Sequence, residues 1–493
     1  MTSLPTIDAA CEAAFTALED GREEAALPPL DRLLAAVPDD PRLWQAKGLL
    51  HRGAQDLAPA ITAFTEARRL APDDRLIAFS LAQCLLEAGR PAVGAFEAAQ
   101  RLSPADLAIR QGLVTAKAAE EGLDQAIAAL GPSLGKHSAW VDGHRLMARL
   151  QTASGRPELA DTSFAAAVRL HPGNASLWEA RAAMLLEALR YDDVLAVIKQ
   201  ARRVGNAQAM TLLQAAALSE SGALVEAERV FARLPPARVP ADLLFVLRHL
   251  LRCGRADQVA ALARQIGTAP GTEMLVPLFA AAWRATSDPR LHWLEPEALI
   301  GVFDLSEQLA SIDELASVLR GIHSHVEAPL GQSVRGGTQT DGPLFSRLEP
   351  EIVQLRAVIE QAVMSYIAAL PSADPDHPTL RHPRDRPLRF AGSWSVRLRS
   401  KGHHDSHVHP QGWLSSALYV SLPETLGTDE GDHSGWLALG EPQASLGLDL
   451  PPTRWIKPEI GRLVLFPSTM WHGTLPFAAG ERLTIAFDIA PPH

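Results

Sequence analysis

Apolar residues recur at helical spacing, i, i+3, i+4 and i+7, from the first residues to about 285, and β-branched runs are almost absent there. That pattern, rich in alanine, leucine, glutamate and arginine, predicts an all-helical first half. From about 286–296 the texture changes. Helix-like stretches are expected at 297–320 and 349–370, and proline and histidine then crowd 371–387. Beyond them come short strand-like runs at 390–398, 413–422, 436–439, 463–466 and 483–489, punctuated by Gly402, Gly427, Gly431, Gly461 and Gly480. Short strands between glycine and proline turns predict a β-sandwich, most naturally a jelly roll with helices packed outside.

A fixed interval runs through the helical half. Pro38 and Pro72 lie 34 residues apart, Pro104 and Pro172 twice that, and Pro172, Asn206 and Pro240 again 34 and 34. A period of this length means helix-hairpin repeats. Trp44, Gly48, Ala60, Phe64, Ala67 and Pro72, and again Ala148, Gly155, Ala160, Phe164, Ala167 and Pro172, supply the small, aromatic and terminating residues that let paired helices approach. The stretch resembles the tetratricopeptide family over roughly six to seven units, with weak copies near 106–137 and beyond 206. The expected architecture is therefore a tetratricopeptide-repeat solenoid over 1–285, then a double-stranded β-helix, or jelly-roll, domain over 286–493. Within the second domain a helical lead-in spans 297–370 and the barrel 385–490. Such solenoids offer a concave groove to a protein or peptide, and the alternative role is support of the second half.

Composition narrows the class. With 493 residues, 47% of them hydrophobic, the chain can build ordinary cores in more than one domain. A net charge of −11 without a long basic run argues against a nucleic-acid partner. No basic-then-apolar leader and no uninterrupted apolar run of spanning length stand in the sequence, so no membrane partner and a cytoplasmic location are expected. Cys11, Cys84 and Cys253 are far apart in helical segments and read as small core residues. The oligomeric state is left open by all of this.

Candidate chemistry concentrates near the C-terminus. His407-Val408-His409 puts two imidazoles on one face of an extended segment, and His472, on a distant strand, can close a triad. Imidazole suits iron, copper, zinc and nickel, and three protein ligands with open positions describe a catalytic site. Arg482 and Thr484 follow on the next strand, on one side of it, and a guanidinium can hold a carboxylate through two parallel hydrogen bonds. If 403–419 were one unbroken strand, His403, Asp405, His407, His409, Trp413, Ser415, Ala417 and Tyr419 would share a face. Parity therefore leaves Asp405 open as an alternative ligand. The polar run 332–340, with Gly336-Gly337, suits either a loop over a pocket or a plain turn.

The segments Gly392-Ser393-Trp394, His407-Val408-His409-Pro410, Gly461-Arg462-Leu463, Trp471-His472-Gly473-Thr474 and Arg482-Leu483-Thr484 together resemble the 2-oxoglutarate- and Fe(II)-dependent oxygenase family of bacteria and phages, over about 330–490. The resemblance implies Fe(II) and 2-oxoglutarate as cofactors, and His407, His409 and His472 as ligands, His409 standing where the family carries a carboxylate. It implies Arg482 as the grip on the distal carboxylate and Thr484 beside it. Tyr419 would hydrogen-bond 2-oxoglutarate, with Arg397 in the same pocket; Trp394 and Trp413 are read as core. The implied activity is a dioxygenase reaction with hydroxylation as default outcome, on a peptide or protein side chain by analogy with repeat-bearing hydroxylases. Two rivals stand: a three-histidine, cupin-like dioxygenase needing no 2-oxoglutarate, and a non-catalytic adaptor with a degenerate barrel.

Overall fold

Eight helix hairpins follow one another from Ile7 to Ile266 in a computed structural model that describes residues 5–492 apart from 206–209, 238, 310, 329 and 429–430. A ninth, short pair, Val276–Ala285 and Arg290–Leu294, closes the array, which exceeds the six to seven units expected. The interval of 34 has a mechanical cause. Two residues beyond Pro38, Pro72, Pro104 and Pro172, the side chains of Asp40, Asp74, Asp106 and Asn174 accept hydrogen bonds from the first-turn amides of the next helix. Asn206, one of the periodic positions, lies outside the described residues.

Each hairpin turns through one residue of left-handed backbone: Gly21, Gln55, Gly89, Gly122, Gly155, Leu189, Gly222, Gly254 and Ser287. Glycine adopts this conformation without steric cost, and the weak copies have it at 122, 222 and 254 though they lack the tryptophan of the better copies. Gly48 and Gly112 face the rings of Phe64 and Phe96, where a Cβ would come within 2.8 and 2.2 Å of them. Cys84 is fully buried, and burial pushes its thiol up to about 12, in keeping with a core role.

The second half is an antiparallel sandwich. Its strands are β1 (Gly301–Asp304), β2 (Val334–Gln339), β3 (Phe390–His404), β4 (Leu414–Ser421), β5 (Leu437–Leu439), β6 (Arg454–Ile456), β7 (Arg462–Pro467), β8 (His472–Thr474) and β9 (Arg482–Ile489). Six form the large sheet in the order β1-β7-β4-β9-β3-β2, and three the small one, β6-β5-β8. The expected helix over 297–320 is instead β1 followed by the helix Ile312–Ile322, and the polar run 332–340 is largely the edge strand β2. On the outer face, Leu418, Leu465, Leu483 and Phe487 pack against Leu319, Ile352, Ile359 and Val363. The helix Pro350–Ala369 is long and apolar enough by length and composition to cross a membrane, and here it lays one face on that sheet.

The hairpin turns run along the sandwich. Gln55 exchanges two hydrogen bonds with the backbone of Phe390 (2.8 and 2.9 Å), Leu348 donates to the Ala88 carbonyl, and Val326 to that of Ala153. Farther along, Leu330 packs among the helices Ala175–Glu187 and Tyr191–Arg203, and Arg284 donates to the Gly440 carbonyl. Trp471 is buried with Phe279 and Trp283 and donates its indole N–H to Pro277. One edge of the array is thus occupied by the chain's own sandwich, so the supporting role is real whatever else the groove does.

Candidate active site

β3 ends at His404, and the chain then runs irregularly to β4, touching β8 through one isolated bridge. In that bridge His407 and His472 exchange backbone hydrogen bonds (2.9 and 3.0 Å), and His409 N–H donates to the Ser468 carbonyl. These pairings bring the three imidazoles together. Ring centroids stand 4.2 Å apart for His407 and His472, 4.9 Å for His407 and His409, and 5.2 Å for His409 and His472. One nitrogen from each lies within 4.8 Å of the others.

Each ring is oriented from behind. Nδ1 of His407 faces the Asp405 carbonyl (2.8 Å), Nδ1 of His472 the Met470 carbonyl (3.0 Å), and Nδ1 of His409 a carboxylate oxygen of Asp488 (2.6 Å). Acceptors at Nδ1 fix the proton there and leave Nε2 as a lone pair. Burial, reinforced by the neighbouring His409, pulls His407 down to about 3, and burial likewise holds His472 and His404 well below the usual range. Near neutral pH His407 and His472 are therefore uncharged.

A cavity open to solvent lies on the cluster, and Tyr419, Arg482 and Thr484 line it. Arg482, at the start of β9, is 1% exposed; it donates to the Gly435 carbonyl (2.8 Å) and the Thr474 hydroxyl (3.0 Å). Its Nε and the Tyr419 hydroxyl are buried without a protein partner. Buried donors of this kind are costly unless something accepts from them, and a carboxylate fits both. Desolvation lowers the Arg482 pKa and raises that of Tyr419.

Two expected residues are placed elsewhere. The Asp405 carboxylate turns outward to Arg335 (2.8 Å) and His403 (3.3 Å), because the strand breaks at His404 and the parity of an unbroken strand does not hold. Arg397 bonds Glu481 (2.5 Å) outside the cavity: β3 presents Trp394 and Val396 inward, so the odd-numbered Arg397 faces away. Trp413 is core, donating to the Thr379 carbonyl, whereas Trp394 stacks on His409 at 5.4 Å and 14°. Sequence reading set Trp394 aside as core and left Ser333 in a run suited to either a pocket loop or a turn; both line the cavity, as do His404, Thr474 and Asp488, which it did not single out. Asp488 had a legible signal, an acidic residue in an apolar strand at even spacing from Arg482. The other metal-capable group among the described residues, Glu228, His249 and Cys253, is already satisfied: His249 bonds Ser219 and Glu228, and Arg255 bonds Glu228.

Residues 392–488 match the family model described as "Putative 2OG-Fe(II) oxygenase". The chain thus joins a tetratricopeptide-like repeat region to a C-terminal domain of that family's type. No curated protein matches it. Solved structures similar to the helical half include MamA of Desulfovibrio magneticus RS-1 (19% identity, 35% of this chain and 99% of that one, TM-score 0.31). A thermophilic tetratricopeptide-repeat protein of Thermus thermophilus aligns at 19% identity over 37% of this chain and all of its own, TM-score 0.28. An O-GlcNAc transferase variant of Thermobaculum terrenum aligns at 21% over 26% of each chain, TM-score 0.24.

Proposed function

We propose that the chain is an Fe(II)- and 2-oxoglutarate-dependent dioxygenase, with 1–285 as repeat domain and 286–493 as catalytic domain, acting on a peptide or protein side chain. What carries the reading is one cavity that combines three inward lone pairs, from His407, His409 and His472, with a buried guanidinium lacking an acceptor at Nε. In a three-histidine centre needing no co-substrate, Arg482 would have to meet a carboxylate of the substrate itself, and dependence on 2-oxoglutarate separates the two readings.

When bound, iron and 2-oxoglutarate would supply the chemistry with O2 as the oxidant: 2-oxoglutarate loses CO2 and takes one oxygen atom to become succinate, and the other oxygen atom hydroxylates a substrate C–H bond. The protein's residues do the rest. His407, His409 and His472 would hold the ion. Arg482 pairs with the distal carboxylate, its fork steadied by Thr474 and Gly435, and Thr484 and the Tyr419 hydroxyl add polar contacts. The apolar walls, Val396, Leu437 and Phe466, limit water near the ion. A peptide substrate is favoured by continuity. Gln332 and Ser333, at the cavity, end the segment that begins on the repeats at Val326 and Leu330.

The test is succinate formation by the Fe(II)-loaded protein in air, with and without 2-oxoglutarate, beside His472→Ala. Succinate that depends on 2-oxoglutarate and vanishes in the variant, with reduced iron content, is expected. An active His472→Ala protein would sink the assignment, and His472-dependent oxygen uptake without 2-oxoglutarate would transfer it to the three-histidine class.

A further inference from the structure

Three neutral imidazoles bring no negative charge to a divalent ion, and Asp405, the nearest acidic residue in sequence, is engaged by Arg335. Asp488 is the one acidic side chain lining the cavity among the described residues. It is 7% exposed, and both its oxygens are taken: Oδ2 by Nδ1 of His409 at 2.6 Å, Oδ1 by the Ser415 hydroxyl at 2.5 Å. Ser415 also lies 2.9 Å from the Ser468 hydroxyl, and Ser468 accepts the backbone N–H of His409. Trp394 covers the His409 ring face. The ring is thus held from its Nδ1 edge and from one face, with Nε2 toward His407 and His472.

We infer that Asp488 is a positioning residue that supplies, one hydrogen bond behind His409, the negative charge the ligand set itself lacks; the inference rests on the three-histidine reading above. A carboxylate accepting from the far nitrogen of a ligating imidazole fixes its tautomer and strengthens it as a donor. β9 therefore serves the site twice, with Arg482 for the co-substrate and Asp488 for the metal. The register places Asp488 opposite Ser415 of β4, which explains why both oxygens find donors.

The experiment is anaerobic Fe(II) titration of the full chain as wild type, Asp488→Asn, Asp488→Ala and Ser415→Ala, with melting curves of the metal-free proteins. Asp488→Asn keeps an acceptor of the same shape and removes the charge, so Fe(II) affinity should fall roughly 10- to 100-fold. Asp488→Ala should lose at least as much, and Ser415→Ala less. Nitrogen-15 histidine spectra of the metal-free wild type should show His409 protonated at Nδ1, and a mixture of tautomers in Asp488→Ala. This measurement, with Ser415→Ala, decides the matter if the Asp488 variants fail to fold. Unchanged affinity in both Asp488 variants, or a His409 protonated at Nε2 in the wild type, overturns the inference while leaving the metal site standing. A wild-type protein that binds no Fe(II) overturns both.

Discussion

Replacing Arg482 with methionine should separate stability from function. In the protein without co-substrate, the guanidinium is buried among neutral acceptors, with Nε unsatisfied and its pKa lowered by desolvation. Exchanging buried charge for an apolar side chain of similar length is often neutral or stabilising by about 1–4 kcal/mol. Against this stand two lost hydrogen bonds, worth about 1–3 kcal/mol together. The net lies between about 3 kcal/mol against the variant and about 3 kcal/mol in its favour, centred near zero, so the melting point should stay within a few degrees of the wild type. Co-substrate binding should move the other way. Two parallel hydrogen bonds to a carboxylate, each about 1.5–3 kcal/mol, correspond to roughly two to four orders of magnitude in affinity. Thermal melts of both proteins, with and without 2-oxoglutarate and with Fe(II) present, read both effects. The wild type should gain stability on adding 2-oxoglutarate, while the variant should not respond and should retain its iron. A clearly lowered melting point for metal-free Arg482→Met would show the arginine to be structural. A wild-type-like response to 2-oxoglutarate would remove it from the carboxylate site.

Trp471→Ala should cost about 3–5 kcal/mol, because the indole fills the seam against Phe279 and Trp283 and bonds Pro277. It should also weaken Fe(II) binding through the adjoining His472; an unchanged melt would show the seam to be dispensable. The metal-free protein should lose stability as pH falls from about 6.5 toward 3. His407 stays neutral until about 3, and His404 and His472 are also depressed, so the unfolded chain takes up protons that the folded one refuses. Each such histidine steepens the dependence by up to about 1.4 kcal/mol per pH unit, and denaturant melts between pH 4 and 7 would expose a flat profile if the rings were solvated. Gln55→Ala should leave the start of β3 without its two side-chain hydrogen bonds to Phe390. The expected loss is about 1–3 kcal/mol, read as faster hydrogen exchange at the Phe390 amide, and unchanged protection would mean that the repeat does not hold this strand.

The repeats were legible because the better-kept hairpins restate a local rule: proline, then a capping Asp or Asn, then small and aromatic residues at helical spacing, which neighbours in sequence satisfy. The count was less so, since the left-handed turn residue, as at Gly122 and Gly254, is the mark the weak copies keep most regularly. β3, β4, β5, β7 and β9 showed as apolar runs. β6 and β8 are three residues each, and β1 and β2 are edge strands whose partners lie about 160 and about 60 residues away in places, too short or too polar to carry a pattern.

By itself, then, the sequence determined the order of the two architectures and the residue types of the site: two histidines two apart, a third far downstream, an arginine on the last strand. Those choices are local, governed by backbone period and side-chain chemistry. Which carboxylate serves the histidines was decided only in three dimensions. The break after His404 turns Asp405 out to Arg335, and the β4–β9 register carries Asp488 in behind His409. The same holds for Arg397, sent to Glu481 by strand parity, and for the repeat turns, spent on the chain's own sandwich. Register, parity and docking depend on segments hundreds of residues apart meeting in space, and no local pattern encodes that meeting.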